Sequence, residues 1–195
     1  MHAFEYHRPS SLADAAKLAG KGDEAKLLAG GQSLVQAMKL RLSAPSDLVD
    51  LNAITELRGI KSDGKTVTVG AMARHAEVAA SAEVKKAIPA LAALAELIGD
   101  RQVRNQGTIG GSLANNDPAA DYPAAVLGLG ATVVTNKRKI EADKFFKGMF
   151  ETALEPGEII TQVAFPVPKR AAYVKFKNPV PMSGTHLREY PADRF

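Results

Sequence analysis

Two Gly-Gly segments constrain this chain more than any other feature: Ala29-Gly30-Gly31-Gln32-Ser33 and Thr108-Ile109-Gly110-Gly111-Ser112. Each follows an apolar, strand-like stretch, and each carries a hydroxyl just beyond the glycines. Without a Cβ, glycine permits left-handed backbone and close approach of another group. Such loops let several backbone N–H groups converge on an anion, and a helix starting after Ser33 adds its positive end. Either Gly-Gly alone is more often a plain turn. A pair of them suits a pyrophosphate, while the absence of Gly-x-Gly-x-x-Gly excludes a Rossmann site.

The surrounding periodicity alternates between helix and strand. Leu12, Ala15, Ala16, Leu18 and Ala19 recur at helical spacing after Ser10 and before Gly20 and Gly22. Ala25–Ala29 reads as a brief strand, Leu34, Val35 and Met38 as a helix that Pro45 terminates, and Asp47–Leu51 as a second strand. Residues 1–57 are therefore expected to form a small α/β lobe, and residues 58–178 a larger one. In the second stretch, Asp63-Gly64 predicts a hairpin over Leu57–Gly70. Ala73–Ala80, Val84–Ile98 and Tyr122–Leu129 read as helices, with Pro89 as a break or first-turn residue. Ala131–Thr135, Ile159–Phe165 and Ala172–Phe176 read as strands, and prolines leave 179–195 an irregular tail.

Other chemistries have weaker support. Gly59-Ile60-Lys61-Ser62-Asp63-Gly64-Lys65-Thr66 fits the letters of a phosphate loop, but Thr-Val-Thr-Val alternation follows where that loop needs a helix. A P-loop nucleotide-binding protein using Gly59–Thr66 is thus the lesser alternative to a hairpin. His2, His7, His75 and His186 lack metal-ligand spacing and read as surface or capping residues. The Lys137-Arg138-Lys139 run reads as a solvated turn, and a net charge of +4 without interleaved aromatics gives no nucleic-acid signature. Zero cysteines exclude thiolate nucleophiles and cysteine-ligated iron–sulfur clusters, so redox work would need an organic cofactor. No transmembrane or signal-peptide run occurs, which gives the expectation of a cytoplasmic protein.

Three segments carry a family resemblance: Phe4–Ser10, Leu28–Leu34 with Lys39–Leu42, and Thr108–Asp121, the last being the most specific. Val69–Met72 and Leu154–Ile160 add to it. Over residues 1–178 the chain resembles the FAD-binding medium subunit of molybdenum hydroxylases of the carbon monoxide dehydrogenase and xanthine dehydrogenase type. The resemblance implies an α+β, two-lobed FAD-binding domain of the vanillyl-alcohol-oxidase (PCMH) type, with FAD in the crevice. It assigns cofactor contacts to Ala29, Gly30, Gly31, Gln32, Ser33 and Leu34, and to Thr108, Ile109, Gly110, Gly111 and Ser112. Asp121 would accept from a cofactor hydroxyl, with helix capping as the alternative reading, and Ile160 and Lys177 would lie near the flavin. No side chain of this chain is expected to be catalytic.

In function, the resemblance implies an oxidoreductase subunit that passes electrons from a partner's iron–sulfur clusters through FAD to an outside acceptor. The implied partners are a large molybdenum-cofactor subunit and a small [2Fe-2S] subunit. Family members continue beyond the equivalent of Phe176–Pro179 into a C-terminal domain that 179–195 does not match. The expectation is an open flavin site, weakened FAD retention and self-association. A cofactor-free folded interaction module is the alternative.

Overall fold

The computed structural model describes residues 1–22 and 24–175. The first elements are β1 (Glu5–His7), α1 (Leu12–Ala19), β2 (Ala25–Leu28), α2 (Leu34–Lys39) and β3 (Asp47–Asp50). The three strands form a parallel sheet in the order β1-β3-β2. Ser11 caps α1 by accepting from the Asp14 N–H at 3.1 Å. The helix lays Ala15 on the sheet against Val49, while β3 is flanked on both sides and therefore reads Leu-Val between two aspartates. β1 had no sequence signal beyond three residues; it forms because β3 supplies its partners.

The second group of elements is β4 (Ile60–Ser62), β5 (Thr66–Gly70), α3 (His75–Ala80), α4 (Ala82–Ala87), α5 (Pro89–Glu96), α6 (Arg101–Arg104), α7 (Ile109–Asn115) and α8 (Tyr122–Gly128). β6 (Thr132–Thr135), β7 (Lys139–Glu141), α9 (Ala142–Phe145), β8 (Phe146–Gly148), β9 (Glu151–Thr152) and β10 (Ile160–Pro166) complete it. Five of these strands build an antiparallel sheet in the order β4-β5-β10-β6-β7, and β8 and β9 form a separate hairpin. Val67, Val69, Val133, Val163 and Phe165 alternate onto the face covered by the helices, where Leu91, Leu94, Leu113, Tyr122 and Phe145 meet them. Each such buried apolar side chain contributes roughly 1.5–3 kcal/mol relative to exposure.

Several expectations need correction. The stretch Val84–Ile98 is not one helix but parts of two, with Pro89 the break and first-turn residue that the sequence suggested, because it lacks the N–H that a continuous helix requires and starts α5. Residues 171–175 have no regular structure, so the described part of the expected Ala172–Phe176 strand is not a strand. The stretch before the second Gly-Gly is not a strand either. Thr108 makes only an isolated bridge to Arg74, and Gly110 and Gly111 lie inside the first turn of α7 rather than in a loop. The tail 179–195 lies outside the described residues.

The two sheets are joined by shared backbone and shared core. After β5, the Met72 N–H donates to the Leu57 carbonyl at 2.8 Å and the Ala71 N–H to the Thr161 carbonyl at 2.9 Å. The Ala71 and Ala73 carbonyls accept from Gly110 and Ile109, at 2.9 and 3.1 Å. Residues 71–73 thereby tie the first sheet's final turn, β10 and the start of α7 together. Met72 and Ile159, both from the second group, pack into the cluster of Val49, Leu51, Ile54 and Leu57.

Candidate functional site

The first Gly-Gly loop runs from β2 into α2. Gly31 has φ +72, a conformation that side chains with a Cβ resist. Among the described residues, the backbone N–H groups of Gly30, Gly31, Gln32, Ser33 and Leu34 donate to no protein acceptor, and the side chains of Gln32 and Ser33 have no hydrogen-bond partner. The loop is half-buried rather than solvated, except at Ser33. Its carbonyl side is braced: Asn52 Nδ2 donates to the Ala29 carbonyl at 3.2 Å and to Asp50 Oδ1 at 2.7 Å. Tyr6 donates its hydroxyl to Asp50 Oδ2 at 2.6 Å. Burial acts to raise the Asp50 pKa, but the bonds from Tyr6 and Asn52 outweigh it and hold the carboxyl below its ordinary value. Sequence reasoning missed this brace, since Asp50 reads only as part of the Asp47–Leu51 strand and Asn52 stands in no motif.

The second segment behaves differently. Its amides are committed within the protein: Gly111 donates to Thr108 Oγ1 at 3.2 Å and Ser112 to the Thr108 carbonyl at 3.0 Å, while Ile109 and Gly110 bond to Ala73 and Ala71. Thr108 is the N-cap of α7. The expectation that both loops offer free N–H groups therefore holds for the first and fails for the second, whose glycines serve close approach. A Cβ at Gly110 would lie 2.6 Å from that of Ala71. At Gly111 it would lie 3.4 Å from that of Ala29, so the two glycine segments touch. Gly30 seals the contact, since its Cβ would fall 2.2 Å from the Gln106 carbonyl oxygen.

Asp121 is buried at the start of α8, but its side chain makes no capping bond. It accepts instead from the Tyr173 hydroxyl and from Lys175 Nζ, the latter at 2.9 Å. Lys175 also donates to the Leu97 carbonyl at 3.0 Å. Ile160 is buried in the larger core, where a register shift in β10 follows it. Lys177 lies outside the described residues.

Behind the second segment, His75 is 5% exposed, not a surface residue as its sequence context suggested. Its ring centroid sits 5.3 Å from that of Tyr122, and a Cβ on Gly107 would come within 2.5 Å of its Nε2. Burial lowers its pKa to about 4, against the pull of Asp121, so the imidazole is neutral at pH 7. His75 Nδ1 and the Tyr122 hydroxyl have no partner among the described residues. The other expected surface residues also acquire roles: His7 pairs with Asp47 at 2.7 Å, and Arg138 binds Glu158 at 2.9 Å.

The phosphate-loop alternative is overturned by geometry. Gly59–Thr66 spans a β4–β5 hairpin, with Gly64 at φ +86, and Asp63 Oδ1 accepts from the Lys65 and Thr66 N–H groups at 2.8 and 2.7 Å. Those donors would be needed for a phosphate. No group of three or more His, Cys, Asp or Glu residues placed to hold a metal exists among the described residues, and none of their helices is long and apolar enough to cross a membrane.

Fold and site together define a two-lobed α+β FAD-binding domain of the vanillyl-alcohol-oxidase type. The chain belongs to the family described as the FAD binding domain in molybdopterin dehydrogenase, which matches residues 2–168. It is 45% identical over 168 residues to the carbon monoxide dehydrogenase medium chain of Hydrogenophaga pseudoflava, covering 84% of this chain and 58% of that one. With the glyceraldehyde dehydrogenase medium chain of Sulfolobus acidocaldarius the identity is 39%, over 84% of this chain and 60% of the relative. The carbon monoxide dehydrogenase structure from Hydrogenophaga pseudoflava superposes with a TM-score of 0.86 at 43% identity, covering 90% of this chain and 64% of that one. The chain thus spans about three fifths of the length of these curated relatives.

Proposed function

We propose that this chain holds FAD in the crevice between its two glycine segments and serves as the flavin-bearing, electron-transfer part of a molybdenum-containing hydroxylase. The free N–H groups of Gly30 to Leu34 beside Gly111 carry this reading. They are donors without acceptors in a half-buried loop, and an anionic pyrophosphate satisfies them. Gln32 and Ser33 would add side-chain donors, Ala29 and Gly111 a surface close enough for the cofactor to lie flat, and Thr108, Ile109, Gly110 and Ser112 the rigid helix start beneath it. Asp121 would take a cofactor hydroxyl with the lone pairs that Tyr173 and Lys175 leave free. Ile160, whose side chain is buried in the larger core, and Lys177 are assigned near the flavin by the resemblance alone. In this scheme residues 1–57 and 58–178 are the two lobes.

Bound FAD supplies redox chemistry that exchanges electrons between a one-electron and a two-electron partner. The protein's part is to bind, orient and partly shield it. Electrons would come from a small [2Fe-2S] subunit, reduced in turn by a large molybdenum-cofactor subunit that carries the substrate chemistry, in the cytoplasm. The relatives' designation as medium chains supports a heteromeric assembly.

Titration of the purified protein with FAD, followed by flavin fluorescence and visible absorbance, tests the reading. Saturable one-to-one binding that ADP competes with is expected. A protein that binds no FAD at tens of micromolar would overturn it.

A further inference from the structure

The network behind the first glycine loop ends on one peptide. Arg58 Nη2 donates to the Asn52 backbone carbonyl at 3.1 Å and to Asn52 Oδ1 at 3.3 Å, while Asn52 Nδ2 donates to Asp50 Oδ1 at 2.7 Å and to the Ala29 carbonyl at 3.2 Å. A cation at its oxygen and a carboxylate at its nitrogen allow this amide a single orientation, with the N–H donors facing Ala29. The Ala29–Gly30 peptide is trans, so its C=O and N–H point in opposite directions. A carbonyl held toward Asn52 therefore turns the Gly30 N–H away from Asn52, where it meets no protein acceptor. The later peptides of the loop are fixed by helix α2, since the Gly31 carbonyl accepts from the Val35 N–H at 3.1 Å and the Ser33 carbonyl from the Ala37 N–H at 3.0 Å. Among the described residues no backbone N–H donates to the Ala29 carbonyl. Residue 30 also has no Cβ, so rotation of this peptide by half a turn, which would exchange the places of its carbonyl and its N–H, meets little steric resistance. Its direction is set by a side chain.

We propose that Asn52 is a positioning residue for the anion site: by holding the Ala29 carbonyl it turns the first donor of the loop, the Gly30 N–H, toward the bound pyrophosphate. The identity of that anion rests on the flavin reading above. With the peptide reversed, the Ala29 oxygen would stand where the donor stood and repel the phosphate oxygens, so Asn52 governs both the loss of a donor and the gain of a misplaced acceptor. Arg58 acts one step further back, by holding the Asn52 amide in the orientation that keeps its donors on Ala29.

The test titrates full-length wild type, Asn52→Ala and Asn52→Asp with FAD and, separately, with inorganic pyrophosphate, the latter followed through the Gly30 and Gly31 amide signals in NMR spectra. Asn52→Ala should lower FAD affinity about 10- to 100-fold, the range for losing one hydrogen bond to a charged group. Asn52→Asp separates positioning from mere structural support. Ionised, its carboxylate has no donor for Ala29 and faces that of Asp50, with Tyr6, Arg8 and Arg58 the other titratable or charged groups around the pair. Two carboxylates so close hold one proton more tightly than either does alone. As pH falls from about 8 to 5 that proton is taken up and a donor returns, so the affinity of this variant relative to wild type should rise roughly tenfold. A purely structural role shifts the melting temperature without that recovery. FAD affinity equal to wild type in both variants overturns the proposal, as does an Asn52→Asp variant whose relative affinity ignores pH. Pyrophosphate shifts that Asn52→Ala loses, in a protein that binds no FAD, would sink the flavin reading and leave the role of Asn52 standing; FAD held alike by wild type and both variants would do the reverse. A wild type that responds to neither ligand overturns both.

Discussion

A Cβ on Gly30 would collide with backbone, whereas one on Gly111 would meet a hydroxyl at 2.9 Å and a methyl at 3.4 Å. The two positions therefore separate folding from binding. Gly30→Ala has to push the first loop off Gln106 and Gly107, and is expected to cost about 1–3 kcal/mol of stability, measured by urea unfolding. Gly111→Val projects its methyl groups into the crevice while leaving α7 in place. It should weaken FAD binding by about 100-fold, equivalent to ~2.7 kcal/mol, with far-UV circular dichroism unchanged; full affinity in that variant would show that the cofactor does not lie against Gly111. These glycines were visible in the sequence, but their division of labour was not. Ala71, which makes Gly110 necessary, is about forty residues away, and no local pattern encodes that approach. Tyr173 and Lys175 were likewise hidden as partners of Asp121, because their segment reads as a strand in the sequence but has no regular structure.

At the scale of elements, the β6–β7 hairpin is locked to the turn before β10 by one carboxylate. Glu158 accepts from Thr135 Oγ1 at 2.7 Å, from Arg138 Nε and Nη2 at 2.9 and 3.0 Å, and from the Glu155 N–H at 2.9 Å. Burial would raise its pKa, but these donors outweigh burial and hold it at about 2, below the ordinary 4.5. A carboxyl with a depressed folded pKa stabilises the fold above its unfolded value and loses that contribution as pH falls from 4.5 to about 2. Since Arg138 is half-exposed, solvent screening reduces the effect to about 2 kcal/mol. Glu158→Gln should lower stability at pH 7 by that order and flatten the stability profile between pH 4.5 and 2, as chemical unfolding at several pH values would reveal. Sequence periodicity located both strands of this node, β6 and β10, and Lys137–Lys139 do lie exposed at the turn between β6 and β7 as expected, but the pairing of Arg138 with Glu158 was not legible. A buried glutamate twenty residues later has no sequence signature beyond its charge.

At the scale of the molecule, the two larger sheets do not have independent cores. Met72 is 2% exposed and Ile159 is 2% exposed, and both fill the cluster under the first sheet although the chain reaches them only after entering the second. Backbone bonds from Met72 to Leu57 and a close approach of Gly157 to the end of α1 add to the joint. The two-lobed architecture was legible through the family segments, and the shared core was not, because Met72 and Ile159 look like ordinary members of their own strand ends. If each lobe depends on the burial of these two side chains, neither can open while the other stays folded. Native-state hydrogen exchange should then give the β3 amides, Leu48 to Asp50, the same opening free energy as those of β5 and β10. Met72→Ala should remove about 2–4 kcal/mol from both sets equally, the range for a buried methionine truncation. FAD, which contacts both glycine segments in the proposed complex, should raise both sets together as RT ln(1 + [FAD]/Kd). A β3 that exchanges at lower free energy than β10, or a Met72→Ala variant that loosens the first sheet alone, would establish the small lobe as a separate folding unit and move the crevice from a fixed seam to a hinge.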